Sequence, residues 1–239
     1  MSTDQSDERV MDQSAVPGAG QSYEQPLVSV DVVPLWAAAD GTLHVTLGRR
    51  LNEPFRGELA LPGVLMGRER SVGAAERALR TKVGVEPGAV VLRDIGVFDS
   101  RERDPRGATM AVAKAGFGLQ RDLIGGALEA ADHAEAAPVA DLPALPFDHQ
   151  SIIEAACHAL ARSLWTDREV CAALLGPAFT TRTATAVQRQ LEVIAGQEAR
   201  ADASNMKRRL QVLGWVVPTE RTELPEGATG RPSTVWNWI

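Results

Sequence analysis

Apolar and β-branched residues dominate from Val28 to Trp36, Asp40-Gly41 has turn chemistry, and Leu43 to Leu47 alternates apolar with polar. That pattern predicts a β-hairpin, with Arg49 and Arg50 closing its second strand. Pro and Gly spacing in EPFRGELALPG, residues 53 to 63, predicts a loop, a short strand and another turn. A helix is expected from Ser71, as N-cap, to about Val83, with Val72, Ala75, Leu79 and Val83 on one face and Gly84 as its stop. Strands follow at Val90 to Phe98 and Ala108 to about Phe117, joined by the loop SRERDPRG. Residues 120 to 145 are acidic, alanine-rich and uninformative. His149 to Trp165 then places Ile152, Ala156, Leu160 and Leu164 on one helical face, with Ile153 and Cys157 beside them. Mixed strands with two helices in this order predict an α/β sandwich ending near residue 164.

The pattern changes after Trp165. Short helices are expected at Asp167 to Leu175, at Thr181 (as cap) to about Ala195, and at Asp202 to Leu213. Gly176-Pro177, Gly196 and Gly214 punctuate them. The second of these carries Ala184, Val187, Leu191 and Ile194 at helical spacing, the third Ala203, Met206, Leu210 and Leu213. A short strand from Trp215 to Pro218, a polar loop from 219 to 230 and a strand from Pro232 to Trp238 complete the chain. Three short helices and a hairpin are the order of a winged helix-turn-helix.

Composition narrows the class without deciding it. The 239 residues are 44% hydrophobic and 23% charged, as in ordinary globular chains, and suffice for one large or two modest domains. No apolar run approaches a membrane span. Residues 1 to 25 are polar and acidic, unlike a secretory signal, and are expected to form a disordered tail. Cys157 and Cys171 make no disulfide framework, which places the chain in a reducing cytoplasm. The net charge of -6 argues against a chain coated in nucleic acid, but residues 180 to 215 hold six Lys/Arg against three Asp/Glu. One locally basic face is therefore open to it.

Candidate chemistry gathers in two places. The first is GVLMGRERSVGAAERALRTKVGV, residues 63 to 85. It has the layout of a Nudix box, G-x5-E-x7-R-E-U-x-E-E-x-G-U, with Gly63, Glu69, Arg77, Leu79, Gly84 and Val85 in place. In Nudix enzymes the box glutamates hold divalent cations that neutralise a pyrophosphate and activate water. Here Ala78, Thr81 and Lys82 occupy three of those positions. The bland alternative is that loop-helix-loop units need such glycines and leucines anyway. A cleft that kept the fold could still bind a nucleotide through guanidinium groups, for which Arg49, Arg50, Arg56, Arg101, Arg103 and Arg106 are available.

The second place is the helix of residues 202 to 213. With Met206, Leu210 and Leu213 inward, Ser204, Lys207, Arg208 and Gln211 share the outer side and Asn205 and Arg209 flank it. Cations for phosphates and amide or guanidinium groups for base edges are what a recognition helix needs. Arg231, in the hairpin turn Gly230-Arg231-Pro232, is placed for the DNA backbone or minor groove. An ordinary solvated helix face is the alternative.

Together EPFRGELALPG, RDPRG (103 to 107), FDH (147 to 149), FTTRTATAVQRQLEVIAG (179 to 196), NMKRRLQVLGWV (205 to 216) and GRPSTVWNW (230 to 238) resemble the Nudix-related (NrtR-like) transcriptional regulators. The resemblance runs from about residue 28 to the end. It implies a Nudix-type α/β/α sandwich over residues 26 to 164, serving sensing and dimerisation, and a winged helix-turn-helix over 165 to 239. A cytoplasmic homodimer would bind a palindromic operator of NAD-metabolism genes, as a repressor, and answer to ADP-ribose or another NAD-related nucleotide. No catalytic residue, cofactor, metal or membrane partner is expected. DNA contacts would fall to Ser204, Asn205, Lys207, Arg208, Arg209, Gln211 and Arg231, ligand contacts to Arg50, Glu69, Arg101, Arg103 and Arg106. Val64 departs from the usual LPGG, and a Cβ there restricts a loop that approaches phosphate. The rival readings are a hydrolase of ADP-ribose or a related nucleotide diphosphate with a rearranged metal site, and a ligand-binding module whose basic helix meets a protein.

Overall fold

The computed structural model describes residues 25–125, 134–224 and 229–239; the expected tail lies almost wholly outside them. Its larger sheet is mixed. Strands β1 (Leu27–Ala37) and β2 (Leu43–Arg49) form the expected hairpin, joined by β3 (Leu59–Ala60), β4 (Gly63–Leu65), β5 (Val91–Phe98), β6 (Thr109–Phe117) and β7 (Ala134–Pro138). The order is β3-β2-β1-β6-β5, with β4 also on β1 and β7 also on β2. Only β1 and β6 pair in parallel among these. Strand β1 is central and buried on both faces, which explains its near-continuous apolar run. Its alternation still sorts the layers. Val30, Val32 and Trp36 pack on helix α1 (Ser71–Val83), while Val33 and Leu35 join the core that holds Ile152, Ile153 and Leu160 of helix α2 (His149–Ser163).

Several local expectations shift. Arg70, not Ser71, stands at the N-cap of α1 and makes no side-chain cap. Val72 is exposed because it flanks the first turn, and Ala74 and Ala78 join Ala75, Leu79 and Val83 inside. Gly84 does end the helix, in the left-handed region at φ 68°. Strand β7 and a single π-helical turn, Arg121–Gly125, fall in the stretch with no periodic pattern.

Beyond α2 come α3 (Arg168–Leu175), β8 (Ala178–Thr180), α4 (Thr181–Ile194), α5 (Ala203–Val212), β9 (Val216–Glu223) and β10 (Ser233–Trp238). The last strands form a second, antiparallel sheet in the order β8-β10-β9. Strand β8 was hidden in a three-residue run, and β9 continues to Glu223 through what sequence assigns to a polar loop. Pairing to β10, with a bulge between Thr234 and Trp236, stabilises that polar strand. Thr180, one residue before the expected cap, accepts from the Thr183 amide. Thr181 instead accepts from Trp236 Nε1 at 2.8 Å. Asp202 caps α5 through the amides of Ser204 and Asn205. Met206 and Leu210 are buried on α5, whereas Ala203 is exposed.

One apolar core runs through both sheets, from Val33, Leu43 and Leu160 to Val170, Leu191, Met206 and Trp236. The β1–β2 turn docks on α4. Gln190 Nε2 donates to the Gly41 carbonyl at 2.6 Å, its Oε1 accepts from the Leu43 amide at 3.0 Å, and Thr183 Oγ1 donates to the Ala39 carbonyl.

Candidate ligand cleft and exposed helix

A cleft of about 630 Å³ opens where β2, β4 and the last turn of α1 meet. Such a volume accommodates a nucleotide-sized molecule. Gly63 belongs here for a packing reason: a Cβ would stand 2.2 Å from Asp31 Oδ1. Asp31 is buried, and so is Arg103, whose guanidinium bridges Asp31 at 3.2 Å and Asp148 at 3.0 and 2.9 Å. Burial raises the Asp31 carboxyl against the pull of Arg103. Burial works against the Arg103 charge too, but the two carboxylates outweigh it and hold the guanidinium protonated. Next to this triad, His149 Nδ1 accepts from the Leu61 amide at 3.0 Å, so a neutral ring carries its proton on Nε2. Burial pushes its pKa down to about 3.

The arginines expected to act together are separated by the fold. Arg103 lines the cleft, but its guanidinium is committed to two carboxylates, a structural role. Arg106 lines it as well and folds back on Asp104 at 2.7 Å. Arg101 is exposed and lies outside the lining. Tight turning in the loop, marked by the Arg103 amide on the Ser100 carbonyl and the Gly107 amide on Asp104, aims neighbouring side chains apart. Glu69 also lies outside the lining, contrary to expectation. It accepts from Arg77 at 2.5 Å and from the Gly67 amide at 3.2 Å, bonds that hold its carboxyl below the usual range. Since Arg77 also donates to the Leu65 carbonyl, this pair ties the loop to α1.

Arg50 lines the cleft as expected. Its Nε donates to the Pro54 carbonyl at 2.8 Å, and its guanidinium lies over the Phe147 ring at 4.8 Å from the centroid. Phe147 in turn meets Phe55 edge-on at 5.0 Å, and both hold positive φ, 59° and 65°. Bulky residues adopt that backbone at a cost, and such costs cluster at sites. Asp31, Asp148, His149 and the two phenylalanines had no assigned chemistry in the sequence. One signal was available for Asp31: a carboxylate inside the apolar run VSVDVV needs a buried partner.

The box positions divide. Thr81 and Lys82 line the cleft, whereas Ala78 is buried beneath α1. Thr81 Oγ1 donates to the Arg77 carbonyl at 2.7 Å. Among the described residues no three His, Cys, Asp or Glu side chains group to hold a metal ion. A hydroxyl turned to its own helix and an ammonium do not fit a divalent cation.

On α5, Ser204, Asn205, Lys207, Arg208, Arg209 and Gln211 are all exposed, and so is Arg231 before β10. They are not equally free. Asn205 Nδ2 donates to Asp202 at 2.5 Å, and Arg209 reaches Gln188 on α4 at 3.3 Å. Ser204, Lys207, Arg208 and Gln211 keep unengaged side chains among the described residues. Val212, 85% exposed one turn beyond Arg208, adds an apolar group to this face that the sequence pattern did not single out.

A mixed α/β sheet with this box helix and cleft defines a Nudix-like fold. Its likeness extends over most of the chain to solved structures. Shewanella oneidensis NrtR complexed with a 27mer DNA has a TM-score of 0.69 at 23% identity, over 89% of this chain and 93% of that one. A MutT/nudix family protein from Enterococcus faecalis has 0.65 at 24%, over 92% and 88%. At these identities the likeness establishes the fold. No family model matches. An ADP-ribose pyrophosphatase of Methanocaldococcus jannaschii is 36% identical over 136 residues, 55% of this chain and 73% of that protein. The chain belongs to the family of that pyrophosphatase.

Proposed function

We propose that the chain is a sequence-specific DNA-binding transcriptional regulator whose Nudix-like part has lost catalysis and kept ligand binding. One observation carries this reading: α5 buries Met206 and Leu210 and turns unengaged Ser204, Lys207, Arg208 and Gln211 outward. With α4 behind it and the β9–β10 hairpin beside it, the unit has the element order of a winged helix. Lys207 and Arg208 suit phosphates, Gln211 a base edge and Val212 a thymine methyl. The neighbour solved with a 27mer DNA supports the assignment. So does the cleft, where Thr81 and Lys82 replace metal-binding carboxylates. In this reading a homodimer reads a palindromic operator, as a repressor of NAD-metabolism genes. A nucleotide acts by binding two states of the dimer unequally. The β1–β2 hairpin is the physical route, since it carries Arg49 and Arg50 at one end and clasps α4 at the other.

Mobility shift against the chain's own upstream region tests it. A shift with steep salt dependence is expected, because phosphate contacts release counterions. K207A and R208A should each weaken binding; if neither does, α5 is not the recognition helix. The pyrophosphatase relative favours a second reading, hydrolysis of ADP-ribose. AMP release with Mg2+ or Mn2+, abolished in E69Q, would establish that reading and overturn the first.

A further inference from the structure

Within the cleft, cations and carboxylates do not balance. Arg49 pairs with Glu135, Arg77 with Glu69, Arg103 with Asp31 and Asp148, and Arg106 with Asp104, while Glu53, the remaining carboxylate of the lining, pairs with Arg56. Two further cations line the same space, Arg50 and Lys82, and among the described residues neither has a carboxylate partner. They sit on touching elements: a Cβ on Gly48 would stand 3.0 Å from the Lys82 carbonyl, and Arg50 lies two residues further along. Arg50 is held in place by the Pro54 carbonyl and by Phe147, bonds that orient it without neutralising it. Burial and then the neighbouring charge of Arg106 lower its pKa, outweighing the more distant pull of Asp104, Asp31 and Glu53.

Lys82 stands where the box places a metal-binding carboxylate. An ammonium there repels a divalent cation and supplies in its own right the positive charge that the cation would have brought. We propose that Lys82 and Arg50 form a metal-independent seat for the pyrophosphate of a nucleoside diphosphate. This rests on the ligand-binding part of the function proposed above and gives that ligand its chemistry. Two cations facing one cleft match the two phosphates of a pyrophosphate better than one monophosphate. With Nε on the Pro54 carbonyl and one Nη2 proton on the Asn52 carbonyl, Arg50 keeps Nη1 and the second Nη2 proton for phosphate, and lysine adds a mobile point charge.

Calorimetric titration of the full chain tests it, with ADP-ribose, inorganic pyrophosphate and AMP as probes, in EDTA and in excess Mg2+. ADP-ribose and pyrophosphate should bind equally well in both buffers, and AMP more weakly. K82E should lower their affinity in EDTA by about tenfold or more, R50A likewise, and K82R should keep most of it. Lys82 is exposed, so circular dichroism of K82E should match the parent fold. Binding that requires Mg2+, affinity unchanged in K82E, AMP binding as tight as ADP-ribose, or no binding of any probe would each overturn the proposal. A mobility shift on the unaltered protein is scored separately. Its failure would sink the regulator and leave the calorimetry standing.

Discussion

Arg103 and His149 show how much of the cleft is scaffold. Arg103 is 3% exposed and holds two carboxylates, so R103A strands both of them in a poorly solvated place. The expected loss is about 3–5 kcal/mol of stability in a urea titration. R106A strands one carboxylate, Asp104, whose side chain is 2% exposed but keeps the Arg106 backbone amide, so it should cost about 1–3 kcal/mol and less than R103A, an outcome that separates the two arginines of one loop. His149 has a folded pKa of about 3 against 6.5 unfolded, so its contribution is complete above pH 6.5. It is lost as pH falls toward 3, at up to about 1.4 kcal/mol per pH unit. H149N keeps an acceptor for the Leu61 amide and does not titrate. Its unfolding midpoint should fall less steeply than the parent's over that window; parallel curves would count against a buried neutral imidazole.

Among the elements, the β1–β2 hairpin combines a tight turn with close packing on a helix. Gly41 holds φ +93°, and a Cβ there would stand 2.6 Å from Ala186 Cβ and 2.8 Å from the Thr183 carbonyl. Gly57 has a similar φ, +86°, with open space around it. G57A therefore isolates the backbone cost, about 1–2 kcal/mol. G41A should cost more, because the turn must also back away from α4. Equal losses in denaturant titrations would mean that the turn is not seated on that helix. Helix α5 is held more lightly, by two buried side chains and the Asp202 cap, which suits an element whose outer face is left open.

For the whole molecule, the shared core predicts cooperativity. Leu160 is fully buried in the cluster that also holds Leu191 and Trp236, so the C-terminal helices share their core with the larger sheet and have no separate one among the described residues. Far-UV circular dichroism and the fluorescence of the tryptophans at 165, 215, 236 and 238 should give coincident transitions. L160A should shift both together by about 2–5 kcal/mol. Two separated transitions would show that the C-terminal helices unfold independently.

The sequence by itself determined most elements and the chemistry of the box. Periodicity of 2 or 3.6 and glycine stops are local signals, and the identities of Thr81 and Lys82 need no coordinates. The hairpin, α1, α2 and the three C-terminal helices were legible for that reason. Strands β7 and β8 and the far half of β9 were not, because their stability comes from ladder partners distant in the chain. Tertiary structure alone decided which charges are free. Arg101, Arg103 and Arg106 are equivalent in a string of letters, but Asp31 and Asp148 reach Arg103 only through the fold, while Asp104 holds Arg106 within the loop itself. Long-range pairing turns one arginine into scaffold and leaves another, with Lys82, facing the cleft. Shorter-range pairing draws Glu69 to Arg77 and Asn205 to Asp202, and packing of α5 on α4 draws Arg209 to Gln188.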